Sequence, residues 1–153
     1  MASKITSFED LIIWQKAQDL AARIHRIADA NEYIRRDHTL RNQLKSAALS
    51  ISDNIAEGFE YNNNPDFYRF LRIAKGSCGE IRNKILFIMK LNYIDNETAM
   101  RLVEDSKLLG EQIGGLIKKV KAKLAERKVR SNVTRNTSPE TRNTPSDQIL
   151  LSK

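Results

Sequence analysis

Four long runs of apolar residues at spacings of three and four constrain the fold of this chain more than any other feature. The first run begins at Leu11 and Trp14 and continues every three or four residues to Ala28. This period places the apolar side chains on one face of an α-helix. With 6 Gly and 3 Pro in 153 residues, the chain has little material for the many turns of a β protein. The sequence therefore predicts an all-α protein.

A capping box and a glycine delimit the first two predicted helices. Ser7 and Asp10, or their neighbours one residue earlier, form a capping box that opens the first helix. That helix is expected to fade around residues 30–33. The second helix starts near Asp37, and Gly58 is its predicted stop because glycine commonly follows the last helical residue.

The third and fourth predicted helices have clear start signals. Asn64 is expected to cap the third helix with Pro65 in its first helical position, and this helix ends near Leu91. Asp95 is expected to cap the fourth helix. Because short connections make long neighbouring helices antiparallel, the sequence predicts an antiparallel up-down-up-down four-helix bundle over residues 1–127.

The composition of the chain changes near residue 128. Ser, Thr, Asn, Arg and Pro dominate from there, and seven residues nearly repeat, as TRNTSPE and then TRNTPSD. Such a segment buries too little apolar surface to order itself. We therefore expect residues 128–153 to form a disordered tail that is basic and polar.

The positive charge is concentrated where the last helix meets this tail. The net charge of the chain is +7, and residues 118–135 contain eight Lys or Arg and a single acidic residue, Glu126. The remainder of the chain is therefore balanced in charge. A basic block of this kind suits a polyanion such as nucleic acid, although basic C-terminal tails also serve as solubilising appendages.

Cysteine usage and hydropathy indicate a cytoplasmic protein. A single cysteine, Cys78, excludes an intrachain disulfide framework and a Cys-rich zinc site, and its helical context GSCGE predicts a small buried thiol. The N-terminus MASKITSFED lacks the apolar run of a signal peptide, and no apolar stretch is long enough to span a membrane. We therefore expect no membrane contact.

The sequence shows no catalytic or metal-binding constellation. Neither His25 nor His38 follows a Glu by three residues, so the Glu-x-x-His pairs of di-metal bundles are missing. No Arg lies five to seven residues before either histidine, which excludes helical nucleases built on that spacing. Antiparallel packing of the second and third helices would place Glu57 and Glu80 on the order of 20 Å apart, too far for a general acid–base pair. We expect no catalytic residues, no metal and no cofactor.

The stretch SISDNIAEG, residues 50–58, surrounds two isoleucines with small and polar residues. Small side chains allow a neighbouring helix to approach closely, and the third helix offers a matching region at residues 76–79. Two interpretations remain open: packing within one chain, or a contact between subunits. The candidate seam residues are Ser50, Asn54, Glu57, Gly58, Ser77 and Glu80.

Asn54 lies at the margin of this seam. An unsatisfied buried amide costs about 1–3 kcal/mol, so the Asn54 side chain needs a hydrogen-bond partner. We expect that partner to be a backbone carbonyl or Arg69, which would lie opposite on the third helix.

Two further features favour assembly of several copies. The third helix is apolar between Ile81 and Leu91 over a wider surface than one stripe requires. The fourth helix retains Gly110, Gly114 and Gly115, each of which costs about 1 kcal/mol relative to Ala. A second buried face would account for both features.

Three segments together resemble a known family: FEDLIIWQKAQDLAARIH, LRNQLKSAALSISDNIAEG and FYRFLRIAKGSCGEIRNKI. Over residues 8–120 the chain is similar to the four-helix-bundle proteins encoded by intervening sequences of bacterial large-subunit ribosomal RNA genes. That family is similar to the accessory variability protein of diversity-generating retroelements, a basic homopentameric barrel that works with a reverse transcriptase and its RNA. The resemblance implies a homo-oligomer, and specifically a pentamer, without catalytic activity. It supplies no catalytic residues.

Two hypotheses of function follow. The first is a non-catalytic homo-oligomer that binds RNA or DNA through basic surfaces. Its main candidate contacts are Lys118, Lys119, Lys121, Lys123, Arg127, Lys128 and Arg130. The third helix adds a second set, for which a solvated helix face is the alternative: Arg69, Arg72, Lys75, Arg82 and Lys84. The second hypothesis is a protein-interaction scaffold or accessory subunit, for example of a reverse transcriptase, with no direct nucleic-acid role.

Overall fold

The computed structural model describes residues 5–137, with side chains as far as residue 133. Within this range all regular secondary structure is helical, so the all-α prediction is confirmed. A 3₁₀ turn precedes the α-helices. The elements are the turn Phe8–Asp10, α1 Ile12–Ala30, α2 Glu32–Arg36, α3 His38–Glu60, α4 Asn64–Lys90 and α5 Asn96–Thr137.

Cross-helix hydrogen bonds fix the direction of α3 and α4. The Ser50 and Ser77 hydroxyl oxygens lie 2.9 Å apart, and Lys84 Nζ donates to Gln43 Oε1 at 2.9 Å. A position near the start of α3 thus pairs with one near the end of α4, and the two helices run antiparallel. Antiparallel packing of this pair is as the sequence predicts, but Lys84, and not Glu80 one turn earlier, lies opposite Gln43.

Helix α1 lies between α3 and α5. Gln18 Nε2 donates to Ser52 Oγ on α3 at 2.9 Å, and Arg23 pairs with Asp105 on α5 at 2.7 Å. Helix α5 packs closely along α4 and much less closely along α1. The four long helices therefore form a bundle-like arrangement that is most open between its first and last helices.

Apolar side chains from every α-helix meet in one core. The largest fully buried ones are Leu20, Ile34, Leu44, Ile51, Ile55, Phe67, Leu71, Ile81, Ile85, Ile113 and Val120. All but Ile34 belong to the predicted stripes. Removal of their apolar surface from water, at about 25 cal/mol per Å², is the main force that holds the helices together.

Ile34 belongs to α2, a short helix that the sequence analysis missed. Asn31 organises this helix, because its Oδ1 accepts a hydrogen bond from Ile34 N at 3.1 Å. Asn31 Nδ2 also donates to Tyr93 O at 2.5 Å and ties α2 to the loop before α5. Residues 30–33, predicted to be a fading helix end, are therefore a capped junction.

Gly58 does not end α3, contrary to the prediction. The helix runs to Glu60, and Asn62 supplies the positive φ, at 52°, that turns the chain. Gly58 is buried inside the helix, where an added Cβ would lie 2.6 Å from the Cβ of Phe70. The glycine at this position therefore serves close helix approach and not helix termination.

The caps of α4 and α5 agree with the sequence to within one residue. Asn63, and not Asn64, caps α4, since its side chain accepts from Asp66 N at 2.8 Å. Asp95 caps α5 as predicted and accepts from Thr98 N at 2.8 Å. The hydrogen bonds from Thr98 hold the pKa of the Asp95 carboxyl below its usual value.

Helix α5 continues beyond the predicted boundary at residue 127. It extends to Thr137, so the expectation of a disordered tail is wrong for residues 128–137. Leu124 is the last side chain of α5 that packs against the core. The remaining predicted tail, residues 138–153, lies outside the described residues. None of the described helices is both long enough and apolar enough to cross a membrane.

Candidate functional site

The seam between α3 and α4 is a chain of hydrogen bonds within one subunit. Asn54 Nδ2 lies 3.1 Å from Ser50 Oγ, which lies 2.9 Å from Ser77 Oγ, and Ser77 donates to Ile73 O at 3.1 Å. Asn54 also donates to Ser50 O at 2.6 Å. Of the two partners predicted for Asn54, the structure shows the backbone carbonyl and not Arg69.

The carboxylates predicted for the seam lie at its outer margin. Glu57 and Glu80 are both exposed. Glu80 Oε1 lies 3.4 Å from Lys84 Nζ, and the Lys84 side chain is only 17% exposed because it also reaches Gln43. Lys84 is thus engaged on the α3 side of α4, away from the cations that face α5.

Two candidate arginines near the start of α4 lie over aromatic rings. Arg69 Cζ is 4.7 Å from the ring centroid of Phe70, and its guanidinium is 3.7 Å from Asp66 Oδ1. Arg72 Cζ is 5.7 Å from the ring centroid of Tyr68. These cation–π contacts orient both guanidinium groups while they stay exposed to solvent.

Two other candidate cations line a groove between α4 and α5. The groove encloses a cavity of about 190 Å³. Its lining residues are Lys75, Cys78, Gly79, Arg82, Ser106, Lys107, Gly110 and Glu111. Lys107 was not among the predicted contacts. Its signal in the sequence is the spacing of seven residues that connects it with Gly114, Lys121 and Lys128.

The glycines of α5 shape this groove. An added Cβ at Gly110 would lie 3.4 Å from the Cβ of Cys78, and one at Gly114 would lie 3.2 Å from Lys75 Nζ. The Lys75 side chain therefore lies across Gly114. At Gly115 an added Cβ would meet nothing within 4 Å. Gly110 and Gly114 therefore have neighbours inside the chain, although a Cβ would meet Cys78 at an ordinary contact distance and Lys75 only at its flexible end.

Cys78 lies beneath the groove as a buried thiol, as predicted. Its exposed fraction is 3%. Burial raises the pKa of the Cys78 thiol to about 12, and the nearby Arg82 guanidinium offsets only part of that effect. The thiol is therefore protonated at neutral pH and is a poor nucleophile.

The cations of the α5 run divide between two sides of the helix. Asp105 and Gln112 mark the side that faces α1, because they bond to Arg23 and Lys16. Continuing that side at helical spacing gives Lys119, Lys123, Arg127 and Arg130. The side marked by Gly110 and Gly114, which faces α4, continues to Lys118, Lys121 and Lys128.

Helix α4 retains more apolar surface than the core uses. Ile81, Ile85 and Ile88 are buried. Other apolar side chains of α4 and its C-terminal end remain about 40–50% exposed: Ile73, Leu86, Phe87 and Leu91. The wide apolar surface expected from the sequence is therefore present on the outside of the molecule.

The described residues hold no recognisable metal site. Between residues 5 and 133, no three His, Cys, Asp or Glu side chains come together so that they could hold a metal ion. His25 Nδ1 lies 2.9 Å from Ala21 O, and His38 is exposed at the start of α3.

Comparisons with known proteins give one family and a structural relative. A family model described as 23S rRNA-intervening sequence protein matches residues 9–115. A protein of unknown function from the S23 ribosomal protein family of Bacteroides thetaiotaomicron has a similar crystal structure, with a TM-score of 0.65 and 21% sequence identity. The likeness covers 70% of this chain and 96% of that chain, and at this identity it concerns the fold alone. No curated protein matches the sequence.

Proposed function

The chain belongs to the 23S rRNA-intervening sequence protein family, and we propose that it is a non-catalytic homo-oligomer that binds RNA or DNA through basic surfaces. Each subunit is an antiparallel up-down-up-down four-helix bundle, and five subunits form the assembly. The observation that carries the proposal is the concentration of cations at the end of α5. The family match ends at residue 115, so this run belongs to the part of the chain outside it.

The α5 run has the charge and exposure that a polyanion requires. Between Lys118 and Arg130 the helix has seven cations and one carboxylate, Glu126. All of these cations except the half-buried Lys123 are exposed. Cations of this kind bind phosphates and release condensed counterions, which supplies affinity without reading the base sequence.

Exposed apolar surface on α4 supports assembly. Ile73 and Phe87 are 46% and 51% exposed, and Gly76 and Gly115 each have open space where a side chain would project. A mid-helix glycine costs about 1 kcal/mol relative to Ala, and the close approach of another subunit gives a reason to retain it. Assembly would also multiply the basic run and convert weak phosphate contacts into avidity.

The same apolar surface favours a second candidate function. A protein-interaction scaffold or an accessory subunit, for example of a reverse transcriptase, would use Ile73, Phe87 and their neighbours to hold a protein partner. The basic run would then serve solubility alone.

Salt dependence separates the two candidates. We expect labelled fragments of large-subunit ribosomal RNA to bind with log affinity falling against log salt at a slope of about −3 to −4, if about four phosphates per subunit are neutralised. Replacing Lys118, Lys119 and Lys121 with Gln should weaken binding and flatten the slope. A matched variant that replaces Arg26, Arg35 and Lys90, which are exposed cations outside the run, should bind like the wild type. Absence of binding to RNA and DNA would leave the scaffold function.

Light scattering tests the assembly. We expect a mass five times that of the 17.5 kDa chain over a wide range of protein concentration. A monodisperse single chain at high concentration would overturn this part of the proposal.

A further inference from the structure

We propose that the groove between α4 and α5 is the surface along which the sugar–phosphate backbone of the nucleic acid lies. This inference rests on the proposed nucleic-acid binding and gives it a location. The groove brings Lys75 and Arg82 of α4 together with Lys107 of α5, on the side of α5 that continues to Lys118 and Lys121.

Two rows of residues at spacings of three and four border this groove and continue beyond it along the two helices. Each row follows one side of its helix, because residues at these spacings are neighbours on a helix surface. The α4 row is Arg82, Gly79, Lys75, Arg72 and Tyr68. The α5 row is Lys107, Glu111, Gly114, Lys118 and Lys121.

Two contacts fix the register between α4 and α5, and therefore between the two rows. Gly110 lies against Cys78, and Gly114 lies against Lys75. Because the helices are antiparallel, the next turn of α5 lies beside the preceding turn of α4. This register places Lys118 level with Arg72 at the end of the groove that leads into the α5 run.

The rows make a continuous basic surface. They contain six cations and one carboxylate, Glu111. From Lys107 to Lys121 the surface is about 21 Å long at 1.5 Å per residue. On the α3 side of α4 the charge is different, since Glu57 and Glu80 are exposed there and Lys84 is engaged with Glu80.

The floor of the groove allows a phosphate to approach the helix backbones. Gly79, Ser106 and Gly110 lie between the cationic walls, and an added Cβ at Gly79 would meet no atom within 4 Å. The cavity is therefore bounded by small residues below and by charged donors above. Charged donors form the strongest hydrogen bonds to phosphate oxygens.

Two of the wall cations lie partly against the chain. The Lys75 side chain lies across Gly114, and Arg82 is half-buried. Both still line the groove. The aromatic ring in the rows, Tyr68, lies under the Arg72 guanidinium, which favours backbone contact over base stacking.

Filling the groove tests the proposal without changing charge. Gly79→Gln places a side chain on the floor of the groove, and Ala30→Gln is the control because Ala30 is exposed at the end of α1, outside both rows. The probes are a labelled RNA hairpin and a DNA hairpin of the same sequence. We expect Gly79→Gln to weaken binding about tenfold, as for loss of one charge-assisted contact, while Ala30→Gln binds like the wild type. Thermal unfolding verifies that both variants fold.

Removing groove charge gives an independent measurement. Arg82→Gln with Lys107→Gln should reduce the steepness of the salt dependence by about two, because two phosphate contacts are lost. The control Arg26→Gln with Arg35→Gln removes equal charge from exposed positions on α1 and α2 and should leave the slope unchanged. Binding of the RNA hairpin, the DNA hairpin or both identifies the source of the phosphates.

The outcomes distinguish this inference from the proposed function. If the wild type binds neither hairpin, the proposed function fails and the groove assignment fails with it. If the wild type binds, the α5-run variant does not, and both groove variants bind normally, nucleic-acid binding stands and the groove is excluded. A groove variant that changes the subunit number without changing affinity would also overturn the proposal, since the groove would then be a subunit contact.

Discussion

Helix α4 packs closely against both α3 and α5, but the edges of the two contacts differ. At the α3 contact the hydrogen bonds of Asn54, Ser50 and Ser77 are completed inside the chain. The edge of the α5 contact borders a groove of about 190 Å³ with cations on its walls. The α3 edge contributes to stability, and the α5 edge leaves charge and space for a ligand.

Two glycines illustrate the difference between the α3 contact and the groove beside α5. At Gly58 a methyl group would collide with Phe70, so the glycine is required by packing. At Gly79 a methyl group would meet no atom of the chain within 4 Å, so packing does not require it. The same residue type therefore reports close contact on one side of α4 and open space on the other.

The largest effect on stability is expected on the packed side. Gly58→Ala gains helix propensity but forces the Cβ of residue 58 to within 2.6 Å of Phe70, so α3 and α4 must separate. Overpacking of this kind costs about 1–3 kcal/mol, and we expect the upper end because the Cβ of Phe70 cannot turn away. Less about 1 kcal/mol of helix propensity, urea unfolding should show a net loss of about 2 kcal/mol. An unchanged unfolding midpoint would mean that the helices are not closely packed there.

A smaller loss is expected when the seam hydrogen bonds are broken. Ser77→Ala leaves the Ser50 hydroxyl without its partner and should lower the free energy of unfolding by about 1–2 kcal/mol. The double variant with Ser50→Ala should cost less than the sum of the two single variants, because no unpaired hydroxyl is left between the helices. Additive losses would contradict a direct bond between the two serines.

Beside the groove between α4 and α5, replacing Gly79 with Ala should stabilise the protein. Gly79→Ala removes the backbone freedom of a mid-helix glycine without a clash and should raise the free energy of unfolding by about 0.5–1 kcal/mol. Urea unfolding of Gly79→Ala and Gly58→Ala under the same conditions should give changes in the free energy of unfolding of opposite sign. A loss of stability would show that the groove is filled by protein, as it would be at a subunit contact.

The smallest effect concerns the cap that starts α5 next to the end of α4. The pKa of Asp95 is lowered in the folded state by its bonds with Thr98, so ionised Asp95 stabilises the fold above its ordinary value of 3.8. That contribution is lost as the pH falls below 3.8 and through the folded-state pKa. The stability difference between wild type and Asp95→Asn, measured by urea unfolding, should therefore disappear at low pH. A difference that persists in acid would exclude the carboxylate as its cause.

Helical periodicity was sufficient to predict most of the buried side chains of the long helices, but not the roles of particular residues. Gly58 was assigned to a helix end because glycine signals both termination and close approach, and only its contact with Phe70 distinguishes these roles. Helix α2 was missed because five residues with one buried side chain, Ile34, give no periodic pattern. The continuation of α5 was missed because Val129 and Val133 are the only apolar residues between 128 and 137, too few to give a periodic pattern.

The candidate site was predicted in part. The cations themselves could be read from the sequence, but their grouping depends on which helix lies beside which and in what register. Lys84 and Arg82 are two residues apart, yet one is engaged by Glu80 on the α3 side and the other lines the α4/α5 groove. Lys107 was overlooked because its spacing of seven residues to Gly114 and Lys121 gains meaning only when Lys75 and Arg82 are placed opposite it.

Lysine footprinting in the presence of RNA tests the difference between the two sides of α4 most directly. Acetylation followed by mass spectrometry reports the reactivity of each lysine in one sample. RNA should protect Lys75, Lys107, Lys118 and Lys121, while exposed Lys90, outside the groove, should react as it does in the free protein. Equal reactivity of the groove lysines with and without bound RNA, or protection confined to lysines outside the groove, would contradict the account.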